Sequence, residues 1–242
     1  MLSKAKIKLI KSLAQKKYRE QNGLFVVEGV KGIEEFLNSD IELYYLYTTE
    51  DIFKVSTAHY SLISEAQLKQ VSQLKSPNKA VGVFKMPKPK TIVDSQLIVA
   101  LDAVRDPGNL GTIIRLCDWF GVNDLVCSKT TVDCFNPKVV QSSMGSLTRV
   151  NICYLDLEHF LETTESITYG TFMKGESIYK TSLPDKGILV MGNEANGISE
   201  AIERLINKKL SIPRFGNLKI TESLNVATAT SICLSEFKRS TT

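Results

Sequence analysis

Three segments of the chain combine glycine, asparagine and acidic residues directly after a short apolar run. The first follows the apolar run 97–101 and contains Asp106-Pro107-Gly108, Asn109 and Arg115. Asp-Pro-Gly favours a turn, and Asn109 is expected to cap the helix that follows. Arg115 lies about 1.7 helical turns beyond Asn109, so the two side chains share a helix face only if the helix begins late. A lone arginine on a helix otherwise contacts solvent or an acidic neighbour.

The second segment, residues 192–199, follows the apolar run 187–191 and contains Gly192 and Glu194. Glycine allows a ligand to approach the main chain closely. Glu194 is expected to position Arg115 or Asn109. The ordinary alternative is an acidic residue that stabilises the N-terminus of the next helix.

The third segment runs from Ile212 through Ser223 and Leu224 to Asn225, and a helix of small residues follows it. Small side chains there permit close helix packing or close approach of a ligand. In open parallel sheets, ligands bind beyond the carboxyl ends of the strands. The three segments are therefore the expected site.

Several other kinds of site are disfavoured by the sequence. Neither the glycine pattern of dinucleotide-binding loops nor the Walker pattern occurs at these segments. His59 and His159 are isolated, so no Ser-His-Asp triad is expected. The five cysteines are odd in number and include no Cys-x-x-Cys pair, which argues against a disulfide framework and a zinc site. We therefore expect no bound metal.

The pattern of apolar runs predicts two domains. With 242 residues and 43% hydrophobic residues, the chain is expected to be globular rather than disordered. From residue 97 onward, apolar strands alternate with helices, which predicts an α/β domain with a mostly parallel sheet covered on both faces. Pro87-Lys88-Pro89-Lys90 interrupts both helix and strand. We therefore expect a smaller α/β domain at 1–86, a linker at 87–96 and a second domain at 97–242.

The positive charge is concentrated at the N-terminus. The formal net charge is +4, yet the first twenty residues alone carry seven basic residues and one acidic residue, which leaves the remainder slightly acidic. Such a cluster suits phosphate contacts or an anionic membrane surface, and its ordinary alternative is a solvated helix face. No apolar run fits an export signal or a membrane span, so a cytoplasmic protein without membrane association is expected.

The three segments, in this order, resemble the motifs of the SpoU-type (TrmH-like) RNA 2′-O-ribose methyltransferases of the SPOUT superfamily. Two weaker similarities extend the resemblance over nearly the whole chain. Residues 136–145 resemble the stretch between the first two motifs, and residues 18–29 resemble the start of the family's N-terminal substrate-binding domain. Two departures are a third segment a few residues longer than usual at 213–222, and Gln141, where relatives often carry arginine.

The resemblance implies a fold and partners. It implies a small, ribosomal-protein-like RNA-binding α/β domain followed by a methyltransferase domain with a deep trefoil knot, a homodimer formed through that second domain, and S-adenosylmethionine as cofactor. Ribosomal RNA is the expected substrate, and tRNA stays open. A catalytically silent RNA-binding or ribosome-assembly factor on the same scaffold is an alternative, and antibiotic resistance through the same chemistry stays open as well.

The resemblance also assigns residues. Arg115 matches the catalytic arginine of the family; because arginine stays protonated, we expect it to orient the ribose and stabilise developing oxyanion charge. The residues expected in substrate binding and catalysis are Asn109, Arg115, Glu194, Ser223 and Asn225. Those expected to hold the cofactor are Thr171, Met191, Gly192, Ile212 and Leu224. Those expected to bind RNA are Lys4, Lys8, Lys11, Lys17 and Arg19.

Overall fold

Helices and strands alternate along most of the chain in the computed structural model, which describes residues 2–216 and 223–239. The elements up to residue 88 are α1 (Lys4–Ser12), α2 (Lys16–Asn22), β1 (Leu24–Glu28), α3 (Val30–Leu37), β2 (Leu43–Thr48), β3 (Tyr60–Leu62), α4 (Glu65–Val71) and β4 (Ala80–Lys85). Those that follow are β5 (Leu97–Leu101), α5 (Pro107–Trp119), β6 (Asp124–Ser128), α6 (Pro137–Ser143), β7 (Asn151–Leu155), α7 (Leu157–Thr163), β8 (Thr168–Ser177), β9 (Gly187–Met191), α8 (Glu200–Glu203), β10 (Lys208–Ser211) and α9 (Val226–Lys238).

The chain divides into two compact units that are not contiguous in sequence. The first comprises residues 1–88 and 133–148, and the second comprises residues 89–132 and 149–242. The sequence placed residues 133–148 in the C-terminal domain, whereas their packing groups them with the first unit. One reason is Phe135, whose ring centroid lies 4.7 Å from that of Phe25 on β1.

The first unit is built on a four-stranded sheet in the order β1-β4-β2-β3. β4 pairs antiparallel with both β1 and β2, and β3 adds a short parallel edge. On one side of the sheet, Phe25, Phe36 and Phe84 are fully buried and their rings contact one another. A second cluster buries Ile10 and Leu13 from the N-terminal helical region against this unit.

The second unit is built on a six-stranded sheet in the order β10-β8-β9-β5-β6-β7, and every pair in it is parallel. Every residue of β5, β6 and β9 is buried, as expected for strands covered on both faces. The chain moves outward from β5 to β7 and then returns to the other side of β5 through β8 and β9. The carboxyl ends of β5 and β9 therefore adjoin at the reversal of strand order, where open sheets of this kind bind ligands.

The predicted fold class is confirmed, with two short elements missed. α2 has a sequence of polar residues and Tyr18 without apolar periodicity, and it ends at Gly23, whose φ of 63° suits glycine. β3 is three residues long, too short for an alternating pattern. The trefoil knot stays a prediction, because residues 217–222, between β10 and α9, lie outside the described residues.

Arg19 corrects one prediction about RNA contacts. Its side chain is 2% exposed, and it donates to the main-chain oxygens of Leu13 and Ala14, each at 2.8 Å. Its Nε also donates to the carboxylate of Asp133 at 3.0 Å, and its Nη2 pairs with the same oxygen. A guanidinium engaged in this way is not available to a phosphate. Arg19 instead joins α2 to the start of the 133–148 segment within the first unit.

Replacing Arg19 by methionine should lower the free energy of unfolding by about 3–5 kcal/mol, because the Asp133 carboxylate would lose its partner in a largely buried place. The double variant Arg19→Met, Asp133→Asn should lose less than Arg19→Met alone, since no unpaired charge is left. Urea denaturation followed by circular dichroism measures these differences.

Lys85→Ala is the matched control, because Lys85 forms an exposed 2.6 Å ion pair with Glu42 in the same unit. Exposed pairs contribute about 0–1 kcal/mol. A loss in Arg19→Met no larger than in Lys85→Ala would contradict a structural role for Arg19.

Candidate active site

The carboxyl ends of β5 and β9 bring the first two polar segments into contact. Leu101 and Met191, the last residues of these strands, are paired in register. Immediately beyond them, the main-chain N–H of Asp102 donates to the oxygen of Met191 at 2.9 Å. One residue further, Asn193 Nδ2 donates to the main-chain oxygen of Ala103 at 2.6 Å. Main-chain and side-chain hydrogen bonds therefore hold the two loops together.

The first segment begins its helix earlier than predicted. Asp106, not Asn109, caps α5: its Oδ1 accepts from the main-chain N–H of Asn109 at 2.9 Å, and Pro107 occupies the first turn. Proline at the first helical position is itself a start signal, because its fixed φ suits the helix and no N–H is lost. With the cap supplied by Asp106, the Asn109 side chain is released for other contacts.

Glu194 gathers four donors on one carboxylate. The main-chain N–H groups of Arg105 and Asp106 donate to it at 3.2 and 3.1 Å, Asn109 Nδ2 at 3.0 Å and Asn193 Nδ2 at 3.3 Å. Partial burial alone would raise the pKa of Glu194, but the hydrogen bond from Asn109 and those from main-chain N–H groups outweigh it and lower the pKa below its usual value. Glu194 is therefore an anion at neutral pH and a weak base.

Asn225 joins the third segment to this network. Its Oδ1 caps α9 by accepting from the main-chain N–H groups of Ala227 at 2.9 Å and Thr228 at 3.2 Å. Its Nδ2 donates to Asn109 Oδ1 at 2.8 Å. The helix cap fixes one end of this chain of amides and Glu194 fixes the other. Each Nδ2 carries two hydrogens and donates one of them within the network, so Asn109 and Asn225 each keep one hydrogen for a further contact. The site thus offers hydrogen-bond donors to a ligand.

Arg115 and Ser223 are not part of the network. Arg115 is exposed on α5, about 120° around the helix from Asn109, and makes no hydrogen bond or ion pair with any described residue. The structure thus brings Glu194 to Asn109 and not to Arg115. Ser223 is likewise exposed, two residues before the Asn225 cap.

The residues expected to hold the cofactor fall into two groups. Thr171, inside β8, lies beside Met191 at the end of β9, with Thr171 Oγ1 3.8 Å from Met191 Sδ, and Gly192 follows directly. Gly192 tolerates no side chain, because a Cβ there would overlap the main chain of Gly197 and Ile198.

The other group belongs to the third segment. Ile212 directly follows β10 and is half-buried, whereas Leu224 precedes α9 and is 48% exposed. Residues 217–222 of the lengthened 213–222 loop lie outside the described residues.

Sequence reasoning assigned no role to three residues of this site. Asp102 and Ala103 directly follow an apolar strand, and Asn193 directly follows Gly192. Their place after the strands was the only indication in the sequence that they belong to the site. Ala103 has a φ of 58°, a left-handed conformation that costs a non-glycine residue about 1–2 kcal/mol. It is held there between Ser128 Oγ, which accepts from its N–H at 2.9 Å, and Asn193. Backbone strain of this kind is not readable from a sequence.

The basic helix α1 presents three of the lysines expected to bind RNA on one exposed face. Lys4, Lys8 and Lys11 follow the i, i+4, i+7 spacing and are all exposed, and Lys17 is exposed on α2. Lys6 differs, because its ammonium lies 4.2 Å above the ring of Tyr45. Among the described residues, no group of acidic, cysteine and histidine side chains could hold a metal ion, and no helix could span a membrane.

The network should make stability depend on pH below the usual pKa of a glutamate. Because the folded-state pKa of Glu194 lies below 4.5, its contribution is fully present above pH 4.5 and is lost as the pH falls through the lowered value. The difference in unfolding free energy between wild type and Glu194→Gln should therefore be constant from pH 7 to about 4.5 and shrink below it. Urea denaturation at a series of pH values measures this difference.

Glu162→Gln, which removes an exposed carboxylate from α7, controls for the loss of one negative charge. A Glu194→Gln difference that stays flat down to pH 3 would show that the carboxylate does not receive these hydrogen bonds.

Two family models match most of the chain. The family model of the SpoU rRNA methylase family matches residues 96–235, and that of the MRM3-like substrate binding domain matches residues 4–82. The 23S rRNA (guanosine(2553)-2′-O)-methyltransferase RlmP of Bacillus subtilis is 29% identical, over 94% of this chain and 93% of its own.

Solved structures are similar over nearly the full length. A TrmH-family protein from Porphyromonas gingivalis has a TM-score of 0.91 and 36% identity, covering 99% of both chains. An AdoMet-bound rRNA methyltransferase from Sinorhizobium meliloti has a TM-score of 0.87 and 29% identity, covering 99% of this chain and 96% of its own. Because the SpoU model spans more than half of its residues, the chain belongs to the SpoU rRNA methylase family.

Proposed function

We propose that this chain transfers a methyl group from S-adenosylmethionine to a ribose 2′-hydroxyl of ribosomal RNA. The observation that carries the proposal is the hydrogen-bond chain from Glu194 through Asn109 to Asn225, which joins the three polar segments where the sheet reverses its strand order. Membership of the SpoU family makes the chain an RNA methyltransferase that uses S-adenosylmethionine. Ribosomal RNA is favoured over tRNA because the Bacillus subtilis relative is named for 23S rRNA and matches 94% of this chain.

Residues of β8, of the end of β9 and directly after β10 fit the cofactor. Bound S-adenosylmethionine supplies an electrophilic methyl group on a positively charged sulfonium. Glu194 provides a persistent negative charge in the adjoining loop, which suits a cationic ligand. Gly192 packs against the main chain of Gly197 and Ile198, which holds the start of the loop in a fixed place beside the proposed cofactor residues. The residues proposed to hold the cofactor are Thr171, Met191, Gly192, Ile212 and Leu224.

The protein's own groups orient the ribose and stabilise charge. A guanidinium carries only hydrogen-bond donors, so Arg115 acts as a donor that holds the ribose or its phosphate and stabilises negative charge developing on the 2′-oxygen. The unused Nδ2 hydrogens of Asn109 and Asn225 add oriented donors at the same edge of the sheet. Glu194 does not take the proton, since its lowered pKa makes it a weak base; its role is to position Asn109. Ser223 is assigned to substrate binding beside them.

We also propose a homodimer formed through the second unit, and a cytoplasmic location, where ribosomal RNA is modified. The dimer is what the resemblance to the SpoU family implies, and Trp119, 83% exposed at the end of α5, is a large apolar side chain of that unit that a partner would cover.

Replacing Arg115 by alanine should abolish methyl transfer while cofactor binding is retained. Transfer of labelled methyl groups to ribosomal RNA measures the first effect. Thermal or chemical denaturation with cofactor measures the second, since ligand at one hundred times its dissociation constant should add about 2.7 kcal/mol of stability.

Arg204→Ala is the matched control, because Arg204 is an exposed arginine of the same unit paired with Glu200. Retained methyl transfer in Arg115→Ala would show that Arg115 is not a catalytic residue. A wild-type protein that gains no stability from saturating cofactor would support the catalytically silent alternative, and transfer to tRNA alone would replace ribosomal RNA as substrate.

Changing Lys4, Lys8 and Lys11 together to glutamine should weaken RNA binding of any sequence and flatten its salt dependence. Each lost phosphate contact should reduce the slope of log affinity against log salt concentration by about 0.7–0.9. Fluorescence anisotropy with labelled RNA at several salt concentrations gives this slope.

Lys6→Gln serves as the matched control on the same helix, because the Lys6 ammonium is engaged by the Tyr45 ring. An unchanged slope in the triple variant, or an equal change in Lys6→Gln, would show that these lysines only form a solvated helix face.

A further inference from the structure

The loop after β5 contains a buried carboxylate that lies outside the Glu194 network. Asp102 is 7% exposed, and its Oδ2 accepts a 2.7 Å hydrogen bond from the main-chain N–H of Ser199. Ser199 directly precedes α8 and its side chain makes no capping hydrogen bond. Asp102 thus ties the far end of the 192–199 loop to the carboxyl end of β5.

The 192–199 loop is a compact turn held together by hydrogen bonds between its own residues. Asn193 and Gly197 exchange two main-chain hydrogen bonds, at 2.8 and 2.9 Å, and Asn193 Oδ1 accepts from the N–H groups of Ala195 and Asn196. Gly192 packs directly on the main chain of Gly197 and Ile198. Because the turn is stiff within itself, its attachment points decide where Met191 and Gly192 lie.

Those attachment points lie on the loop after β5. At the near end, the N–H of Asp102 donates to Met191 and the oxygen of Ala103 accepts from Asn193. In the middle of the turn, Glu194 accepts from the N–H groups of Arg105 and Asp106. At the far end, the attachment is the Asp102 carboxylate on Ser199. Hydrogen bonds to an ionised acceptor are about twice as strong as neutral ones.

We propose that Asp102 is a positioning residue for the cofactor pocket: its carboxylate fixes the 192–199 loop through the N–H of Ser199, so that Met191 and Gly192 are held ready to bind S-adenosylmethionine. The inference rests on the proposed function, in which these two residues contact the cofactor. Asp102 itself touches neither substrate nor cofactor in this assignment. Its effect is therefore on cofactor affinity more than on turnover at saturating cofactor.

The sharpest test removes the donor and leaves the carboxylate. Ser199→Pro deletes the N–H that Asp102 accepts, and the Ser199 φ of −66° already suits proline. Ser199→Ala keeps that N–H and removes only the hydroxyl. Isothermal titration of the full chain with S-adenosylmethionine should show a dissociation constant at least about tenfold higher for Ser199→Pro, and within about threefold of wild type for Ser199→Ala.

A second pair of variants tests the carboxylate. Asp102→Ala should raise the dissociation constant by a similar factor, and Asp102→Asn, which keeps an oxygen acceptor, should recover most of the affinity. Asp124→Ala is the control: Asp124 is also buried, accepts from Val93 N–H and Asn151 Nδ2, and lies at the opposite, amino end of its strand. It should lower the unfolding midpoint without changing cofactor affinity.

Hydrogen exchange adds a readout that is independent of activity. Faster exchange of the Asn193 and Gly197 amides in Ser199→Pro or Asp102→Ala, with unchanged exchange in β1–β4, is the expected result. Wild-type affinity in a folded Ser199→Pro, or an equal loss of affinity in Asp124→Ala, would overturn the inference. If wild type itself does not bind S-adenosylmethionine, the proposed function fails instead, so the two failures are distinguishable.

Discussion

The Glu194 carboxylate is the contact on which the arrangement of the site depends. An exposed anion in water needs no protein partner, yet this one accepts from the main chain at the entrance to α5, from the Asn109 side chain and from Asn193. These donors come from loops about ninety residues apart in the sequence, and they meet because β5 and β9 are neighbours in the sheet. The N-terminus of α5 adds a favourable dipole to the same place. Together with the Asp102 and Asn193 contacts, this charge therefore sets the relative position of both loops.

The amide groups of Asn109 and Asn225 each have a fixed orientation. Asn225 must direct its oxygen at the N-terminus of α9, so its nitrogen faces Asn109; Asn109 then receives on its oxygen and donates to Glu194. Rotating either amide would place two donors or two acceptors against each other. The edge of the sheet consequently presents N–H groups and a fixed anion, with no side chain in this network able to accept a proton readily at neutral pH. Stabilisation of a developing negative charge suits this arrangement better than general base catalysis.

The sequence predicted β5 and β9 well because these two strands are buried throughout and consist of uninterrupted apolar runs; their bounds agree with the structure residue for residue. The loops after them were found for the same reason. The sequence did not decide whether Asn109 or Arg115 is the partner of Glu194, because that choice depends on where α5 begins.

Asp106-Pro107 indicates the start of α5, since aspartate followed by proline is a typical helix start. Arg19 was misassigned because its acidic partner Asp133 is 114 residues away in sequence.

The basic residues near the N-terminus show that position, more than residue type, decides what a charge does. Arg19 forms an internal ion pair, and the Lys6 ammonium contacts an aromatic ring. Lys4, Lys8 and Lys11, by contrast, form a row about 10 Å long on one helix face. That length is close to the screening distance at physiological salt, about 8 Å, so the attraction of the row extends only to anions close to it. Phosphate contacts position an RNA without reading its sequence. Choice of the methylated nucleotide must therefore come from other contacts, such as base recognition near Arg115 and the two asparagines or the shape of the RNA itself.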